Sequence, residues 1–352
     1  MKIKLTKAGT AGEGKNSDKC STRRRAQGEN EASSQKAKDA SVTSNPAMTE
    51  MTKIAKAIEQ IKQEAPATQI EENPDMGKYT SFKAGGHAAA LVKVCSVKEL
   101  QAVLKALSAR EIPHIFLGNG SNVLFRDEGY DGVVIKMQDF GDVAVNGDRA
   151  VCQTGIYMSS LAKILMNEGL SGFEFASGIP GTLGGGLFMN AGAYGGELKD
   201  IVTWVRCLSP DGGEEKVFTA EEMKFGYRSS VLQENDFIAV EAELKLEPGL
   251  PHEIGEKMRE LGAKRNAKQP VQYPSAGSTF KRPEGFFAGK LVEDAGLKGV
   301  TVGGAQVSTL HSGFIINKGG ASATDIILLI VLVRNTVYDK FGVMLEPEVR
   351  II

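Results

Sequence analysis

The chain has 352 residues, ordinary globular proportions of 41% hydrophobic and 24% charged residues, and a formal net charge of −1. That balance excludes a highly charged, unfolded chain and supplies no global field to attract nucleic acid or an anionic membrane. Four widely spaced cysteines without a CxxC, and four histidines without ligand spacing, argue against a disulfide framework or a metal site and suit a reducing cytoplasm.

Residues 1–47 are rich in Lys, Arg, Ser, Ala and Gly, contain no aromatic residue and include Arg23, Arg24 and Arg25. Such a segment cannot bury enough apolar area to offset the entropy of ordering it, so a solvated tail is expected. Behind it, Ile54, Ile58 and Ile61 recur at helical spacing. A strand is expected over 90–94, then a capping box, Ser96 to Glu99, opening a helix with Leu100, Val103, Leu104 and Leu107 on one face. Ile115–Leu117 reads as a short buried strand and Val133–Met137 as another, closing a small α/β unit.

A hairpin follows, with strands over 143–145 and 150–154 and a type I′ turn at Asn146-Gly147. A helix over 159–167 stops at Gly169. Strands over 201–208 and 237–246 flank a turn at Pro210–Gly213 and a second capping box, Thr219 to Glu222, and Pro248-Gly249 marks a boundary. A charged helix over 252–268, a strand over 314–317 and the apolar run Ile326–Val333 complete the chain. That run is too short to span a bilayer and reads as a buried helix capped near Ser322 to Asp325 and stopped at Gly342. No charged, apolar and small-residue leader opens the sequence. The expected division is a tail over 1–47 and three further parts over 48–138, 139–248 and 249–352.

The most informative stretch is SGIPGTLGGGLFMNAGAYGG, Ser177 to Gly196, in which eight of twenty residues are glycine yet Ile179, Leu183, Leu187, Phe188 and Met189 are interleaved. Glycine inside packed structure costs stability unless a positive φ or a close backbone approach is needed. Exposed N–H groups lying against a large anionic ligand supply that need. Gly118–Asn122, GNGSN, repeats the theme directly after a strand. It is neither a Rossmann fingerprint nor a P-loop. The two segments together point to a ligand the size of a dinucleotide, with tight turns and small-residue packing as the alternative explanation.

TSFKAGG, GNGSNVLF, the glycine-rich stretch, GYRSS, SAGSTFKRP, AGKLVEDAGLKG, GGAQVS, FIIN and FGVMLEPEVR occur in this order from Tyr79 to Ile352. Together they resemble the UDP-N-acetylenolpyruvoylglucosamine reductase family, in its shorter type. The resemblance implies an α+β chain with an FAD-binding fold of the vanillyl-alcohol-oxidase (PCMH) type in two subdomains and a C-terminal α+β substrate-binding domain. It implies noncovalent FAD, NADPH as electron donor, an enolpyruvyl UDP-sugar as substrate, and a cytoplasmic monomer engaging neither nucleic acid nor membrane.

Reducing an enolpyruvyl ether requires a hydride at one alkene carbon, a proton at its neighbour and something to hold the negative charge that develops beside the carboxylate. By resemblance Ser278 is the proton donor, Arg228 grips the carboxylate or enolate, and Glu348 is the third active-site residue. Glu348 is read either as a protonated hydrogen-bonding group or as acting through Arg228. Gly118, Asn119, Gly120, Ser121 and Asn122, with Ser177, Gly178, Ile179, Pro180, Gly181 and Thr182, are expected to carry the FAD pyrophosphate on backbone N–H groups and small hydroxyls. Asn190, Ala191 and Gly192 are expected near the flavin ring or pyrophosphate, and Tyr227, Lys281 and Arg350 near the UDP part or carboxylate. Arg282 departs from the asparagine found in many relatives. Two rival readings stay open: a flavin oxidoreductase for another alcohol or hydroxy acid, and a flavin- or nucleotide-sugar-binding protein without turnover.

Overall fold

The computed structural model describes residues 46–137 and 140–352. The expected solvated tail lies outside the described residues, save for Pro46 and Ala47 at the start of the first helix.

Helix α1 (Pro46–Glu64) turns Ile54, Ala57, Ile58 and Ile61 inward, as their spacing requires. Strands β1 (Gln69–Glu72) and β2 (Ala88–Val94), helix α2 (Val97–Ser108), and strands β3 (His114–Phe116), β4 (Val123–Leu124) and β5 (Tyr130–Met137) follow. They build a sheet in the order β1-β2-β5-β3, with β2, β5 and β3 parallel and β1 an antiparallel edge. Strand β2 reads AAALVKV, a near-continuous small and apolar run, because a parallel sheet covered on both faces has no polar side. The capping box before α2 forms only by half: the Glu99 N–H donates to Ser96 Oγ, whereas the Glu99 carboxylate accepts from Cys95 N–H instead of Ser96 N–H. Strand β3 is half-buried throughout, and only Leu117 beyond it is buried.

Strands β6 (Val143–Asn146) and β7 (Arg149–Gln153), helix α3 (Met158–Asn167), strand β8 (Leu170–Ser171) and helix α4 (Leu183–Met189) open the second part. Strands β9 (Gly192–Ala193), β10 (Gly196–Glu197), β11 (Val202–Leu208), β12 (Glu215–Thr219), β13 (Ile238–Lys245) and β14 (Glu247–Pro248) complete it. Its main sheet is antiparallel in the order β12-β11-β13-β7-β6. Leu161, Leu165, Leu183 and Leu187 of α3 and α4 are fully buried in one cluster with Val205, Ala242 and Leu244, each such side chain contributing about 1.5–3 kcal/mol of burial. The β6–β7 turn differs from expectation. Asn146 pairs with Arg149, so Gly147 and Asp148 form the loop, and only Gly147 has positive φ (+63°), the II′ pattern rather than I′. The Thr219–Glu222 box does form its reciprocal bonds, but over a turn and not a helix.

Helices α5 (Pro251–Lys268) and α6 (Ala288–Asp294), strands β15 (Thr301–Val302), β16 (Ala305–Val307) and β17 (Ile315–Asn317), helix α7 (Ala323–Phe341) and strand β18 (Arg350–Ile351) form the last part. Ser322 and Asp325 cap α7 reciprocally and Gly342 ends it at φ +69°. The apolar run is not buried all round: Ile326, Leu329, Ile330 and Val333 face the core while Leu328, Val331 and Leu332 are exposed. With 3.6 residues per turn, eight consecutive apolar residues must circle the helix, and α6 and the β15–β17 sheet pack against it. Asp127, in the loop before β5, accepts from the N–H groups of Ala323 and Thr324 at 2.8 Å each, joining the first part to this helix. Strand β18 leaves its own neighbourhood and pairs in parallel with β4, immediately after the GNGSN turn.

Candidate active site

The two glycine-rich segments meet. Asn119 Nδ2 donates to the Pro180 carbonyl at 2.8 Å, and a Cβ on Gly118 would stand 2.5 Å from Thr182 Oγ1. Gly120 has φ +63°, and a Cβ there would strike the Tyr79 carbonyl at 2.1 Å, so no other residue fits without backbone movement. Among the described residues, none of the N–H groups of Gly118, Asn119, Gly120, Ser121 and Asn122 donates to a protein acceptor. Five consecutive N–H groups without a protein acceptor suit a turn that binds an anion.

The second segment contributes less than expected. Ser177 Oγ donates its proton to Glu174 O, whereas Thr182 Oγ1 accepts from Gly185 N–H as the cap of α4 and keeps its own O–H to donate. The N–H groups of Ser177, Ile179 and Gly181 are spent within the loop, leaving those of Gly178 and Thr182. Ala191 N–H closes onto Gly186 O, and Gly192 is a glycine because a Cβ would stand 2.6 Å from Glu197 Cγ in the β9–β10 hairpin.

Beside the cradle lies a cavity of about 760 Å³, lined by residues that include Tyr79, Asn119, Lys136, Gly178, Arg265 and Gln269. Lys136 Nζ donates to Gly118 O at 2.9 Å, and Arg265 lies along Gly178 with Cδ 3.3 Å from the position of a Cβ. Burial pulls the pKa of both cations down, for Lys136 with help from the Lys93 charge beside it in the sheet. Neither is ion-paired with a carboxylate among the described residues. Gln269 Oε1 is buried without a partner among them. Free N–H donors, two unpaired cations and an orphaned acceptor fit a dinucleotide with its phosphates and hydrogen-bonding rings. Sequence reading missed Lys136, Arg265 and Gln269, since only the tertiary structure brings them to one wall of the cavity. The thiols of Cys152 and Cys207, pushed up to about 12 by burial, offer no thiolate to redox chemistry.

Ser278, Glu348 and Arg228 come together from three distant segments. Residues 279–281 run antiparallel to 346–348: Glu348 N–H donates to Thr279 O and Lys281 N–H to Glu346 O, each at 2.8 Å. That pairing places Glu348 opposite the residue after Ser278. Ser278 follows Gly277 (φ +75°), is exposed, and its hydroxyl has no partner among the described residues. Arg228 Nε donates to Glu348 Oε1 at 2.8 Å, with side chains only 23% and 12% exposed, so the pair is largely shielded from water. Burial raises the Glu348 pKa above the usual glutamate range, against the charges of Arg228 and Lys281. The terminal guanidinium nitrogens of Arg228 carry no hydrogen bond among the described residues and remain available to an anion.

The other expected residues surround this pair. Tyr227 precedes Arg228 with its ring 5.2 Å from the guanidinium, and its hydroxyl accepts from Arg282 N–H. Lys281 is ion-paired to Glu346 at 2.5 Å, and the Arg350 guanidinium lies 4.7 Å over the Phe188 ring. Asn122 Nδ2 donates to the Glu348 carbonyl at 3.0 Å, so the amide of the last GNGSN residue ties that turn to the segment carrying Glu348.

Fold and cradle together define an FAD-binding oxidoreductase: residues 88–217 match the profile of an FAD-binding domain. Residues 269–352 match that of the UDP-N-acetylenolpyruvoylglucosamine reductase C-terminal domain. A UDP-N-acetylenolpyruvoylglucosamine reductase of Alkaliphilus oremlandii (strain OhILAs) is 48% identical over 298 residues, covering 84% of this chain and 98% of its own. One of Clostridioides difficile (strain 630) is 50% identical over 284 residues, covering 80% and 93%. The crystal structure of the Thermus caldophilus reductase (MurB) superposes with a TM-score of 0.70 at 35% identity, covering 81% of this chain and 99% of that one. The chain belongs to the UDP-N-acetylenolpyruvoylglucosamine reductase family.

Proposed function

We propose that the chain reduces UDP-N-acetylenolpyruvoylglucosamine to UDP-N-acetylmuramate, a step of peptidoglycan precursor synthesis, with Ser278, Arg228 and Glu348 as its catalytic set. The observation that carries the residue assignment is the shielded Arg228–Glu348 pair, held by backbone pairing beside the unpartnered hydroxyl of Ser278. Bound FAD, reduced by NADPH, supplies the hydride. Gly118–Asn122 hold the pyrophosphate on their free N–H groups, Gly178 and Thr182 add theirs, and Lys136 and Arg265 neutralise it. Arg228 binds the substrate carboxylate through its terminal nitrogens, and its charge stabilises the enolate that forms when the alkene accepts hydride. Ser278 Oγ–H then gives its proton to the carbanionic carbon and is reprotonated from solvent. Glu348 fixes the Arg228 fork from the Nε side. Tyr227, Lys281 and Arg350 form the rim that meets the UDP part.

No helix among the described residues is long and apolar enough to cross a membrane. We assign the protein to the cytoplasm, as a monomer, with 48–138 and 139–248 serving the cofactor and 249–352 the substrate.

Under anaerobic conditions, purified protein supplied with catalytic FAD should turn over NADPH beyond one equivalent of flavin only when the enolpyruvyl UDP-sugar is present, with one product formed per NADPH turned over. NADPH oxidation that ignores this sugar would transfer the chain to the flavin oxidoreductases of another substrate. A second expectation tests the cradle. Arg265→Met should weaken FAD binding by about ten- to a hundredfold in a fluorescence titration, the scale of one lost hydrogen bond to a charged group. Unchanged affinity would remove Arg265 from the phosphate site.

A further inference from the structure

We propose that Asn190 is a positioning residue that sets Arg228 for reduction of the UDP-sugar and makes no essential contact to the cofactor; this rests on the role given to Arg228 above. Asn190 is 1% exposed and ends α4 in the left-handed region, at φ 43° and ψ 61°. Its amide is spent inside the protein. Nδ2 donates to Glu197 Oε2 and to the Gly226 carbonyl, and Oδ1 accepts from Lys199 N–H, each at 3.0 Å. One lone pair is all that remains for a ligand.

Gly226 opens the tight turn that carries Arg228. Gly226 and Ser229 exchange backbone bonds, and Arg228 stands in the turn at φ +56°, a conformation that non-glycine residues keep only when their surroundings enforce it. The enforcement comes from the end of α4. Asn190 holds the Gly226 carbonyl on one side of the turn. On the other, Gln233 Nε2 bridges the carbonyls of Arg228 (3.0 Å) and Phe188 (2.7 Å), while Ser230 Oγ donates to the same Phe188 carbonyl. Glu197, held by Asn190 and Lys199, is close enough to Arg228 for that cation to help lower its pKa. Removing the Asn190 amide therefore releases one anchor of the turn and loosens a carboxylate that feels the same guanidinium.

The test uses the full chain loaded with FAD and separates the two half-reactions by stopped flow. Asn190→Gly deletes the amide while tolerating positive φ. Asn190→Asp keeps the acceptor for Lys199 N–H but sets an oxygen against Glu197 and the Gly226 carbonyl. In both, FAD affinity and the rate of bleaching by NADPH should stay within about twofold of wild type. Reoxidation by the enolpyruvyl UDP-sugar should slow by about ten- to a hundredfold, the scale of a misplaced catalytic group. In an Arg228→Ala background, Asn190→Gly should cost nothing further. Should Asn190→Gly fail to fold, Gln233→Ala, which releases the other anchor, must reproduce the split. Loss of FAD binding with equal slowing of both half-reactions would make Asn190 a cofactor ligand and overturn the proposal. An additive loss in the double variant would overturn it too. Normal reoxidation in Arg228→Ala alone would instead remove Arg228 from the mechanism.

Discussion

Ser278→Ala is expected to leave reduction by NADPH intact while product formation falls by about 10²–10⁴-fold, the usual worth of a positioned general acid. The hydroxyl is suited to this task by what surrounds it. It stands exposed after a left-handed glycine, has no partner among the described residues, and is held beside the Arg228–Glu348 pair by the Thr279–Glu348 backbone bond. A free serine is a weak acid, but the carbanionic carbon it protonates is a strong base, so the transfer is downhill. Stopped-flow absorbance at the flavin band separates the two half-reactions. Normal reoxidation by the UDP-sugar in this variant would remove Ser278 from the mechanism.

Replacing Arg228 by Met should cost about 10²–10³-fold in product formation, the scale of one lost donor to a developing oxyanion. It should also move a pH limb. Burial already raises the Glu348 carboxyl, and Arg228 is the strongest of the charges opposing that rise. Without the guanidinium the carboxyl climbs further, so Glu348 takes up its proton at higher pH and the limb of its own carboxyl titration, followed by NMR, shifts upward. Arg228→Lys, which keeps the charge, should leave that limb close to wild type. The same group shapes stability. The folded carboxyl holds its proton more tightly than the unfolded one, so its favourable contribution is complete below the ordinary glutamate pKa and is lost as pH rises through the raised value. Glu348→Gln should flatten that part of the Tm-against-pH curve, and an unchanged curve would contradict the burial argument.

The tight backbone approaches at the two glycine-rich segments were legible in the sequence because glycine reports backbone needs directly. Gly118 and Gly120 have no room for a Cβ because Thr182 Oγ1 and the Tyr79 carbonyl lie against them. The roles proposed for Ser278, Arg228 and Glu348 start from family resemblance, since each lies in a short loop or strand whose neighbours come from elsewhere in the chain. For Asn190, expected near the flavin ring or pyrophosphate, the glycine-rich run gave no sign that its side-chain bonds go to Glu197, Lys199 and Gly226. Arg265 and Lys136 carried no local signal. What marks them is that neither is ion-paired with a carboxylate among the described residues, a property of the fold. Helix α7 shows the limit of hydrophobicity alone, for an apolar run fixes a helix but not how much of its circumference the core can cover.

The decisive measurement is an anaerobic titration of the FAD-loaded protein, followed by visible absorbance as NADPH and then the enolpyruvyl UDP-sugar are added. We expect bleaching by NADPH and full recovery on adding the sugar, with UDP-N-acetylmuramate formed in equal amount. Bleaching without recovery would leave a flavoprotein but contradict the assigned reaction and the roles of Ser278, Arg228 and Glu348 in it.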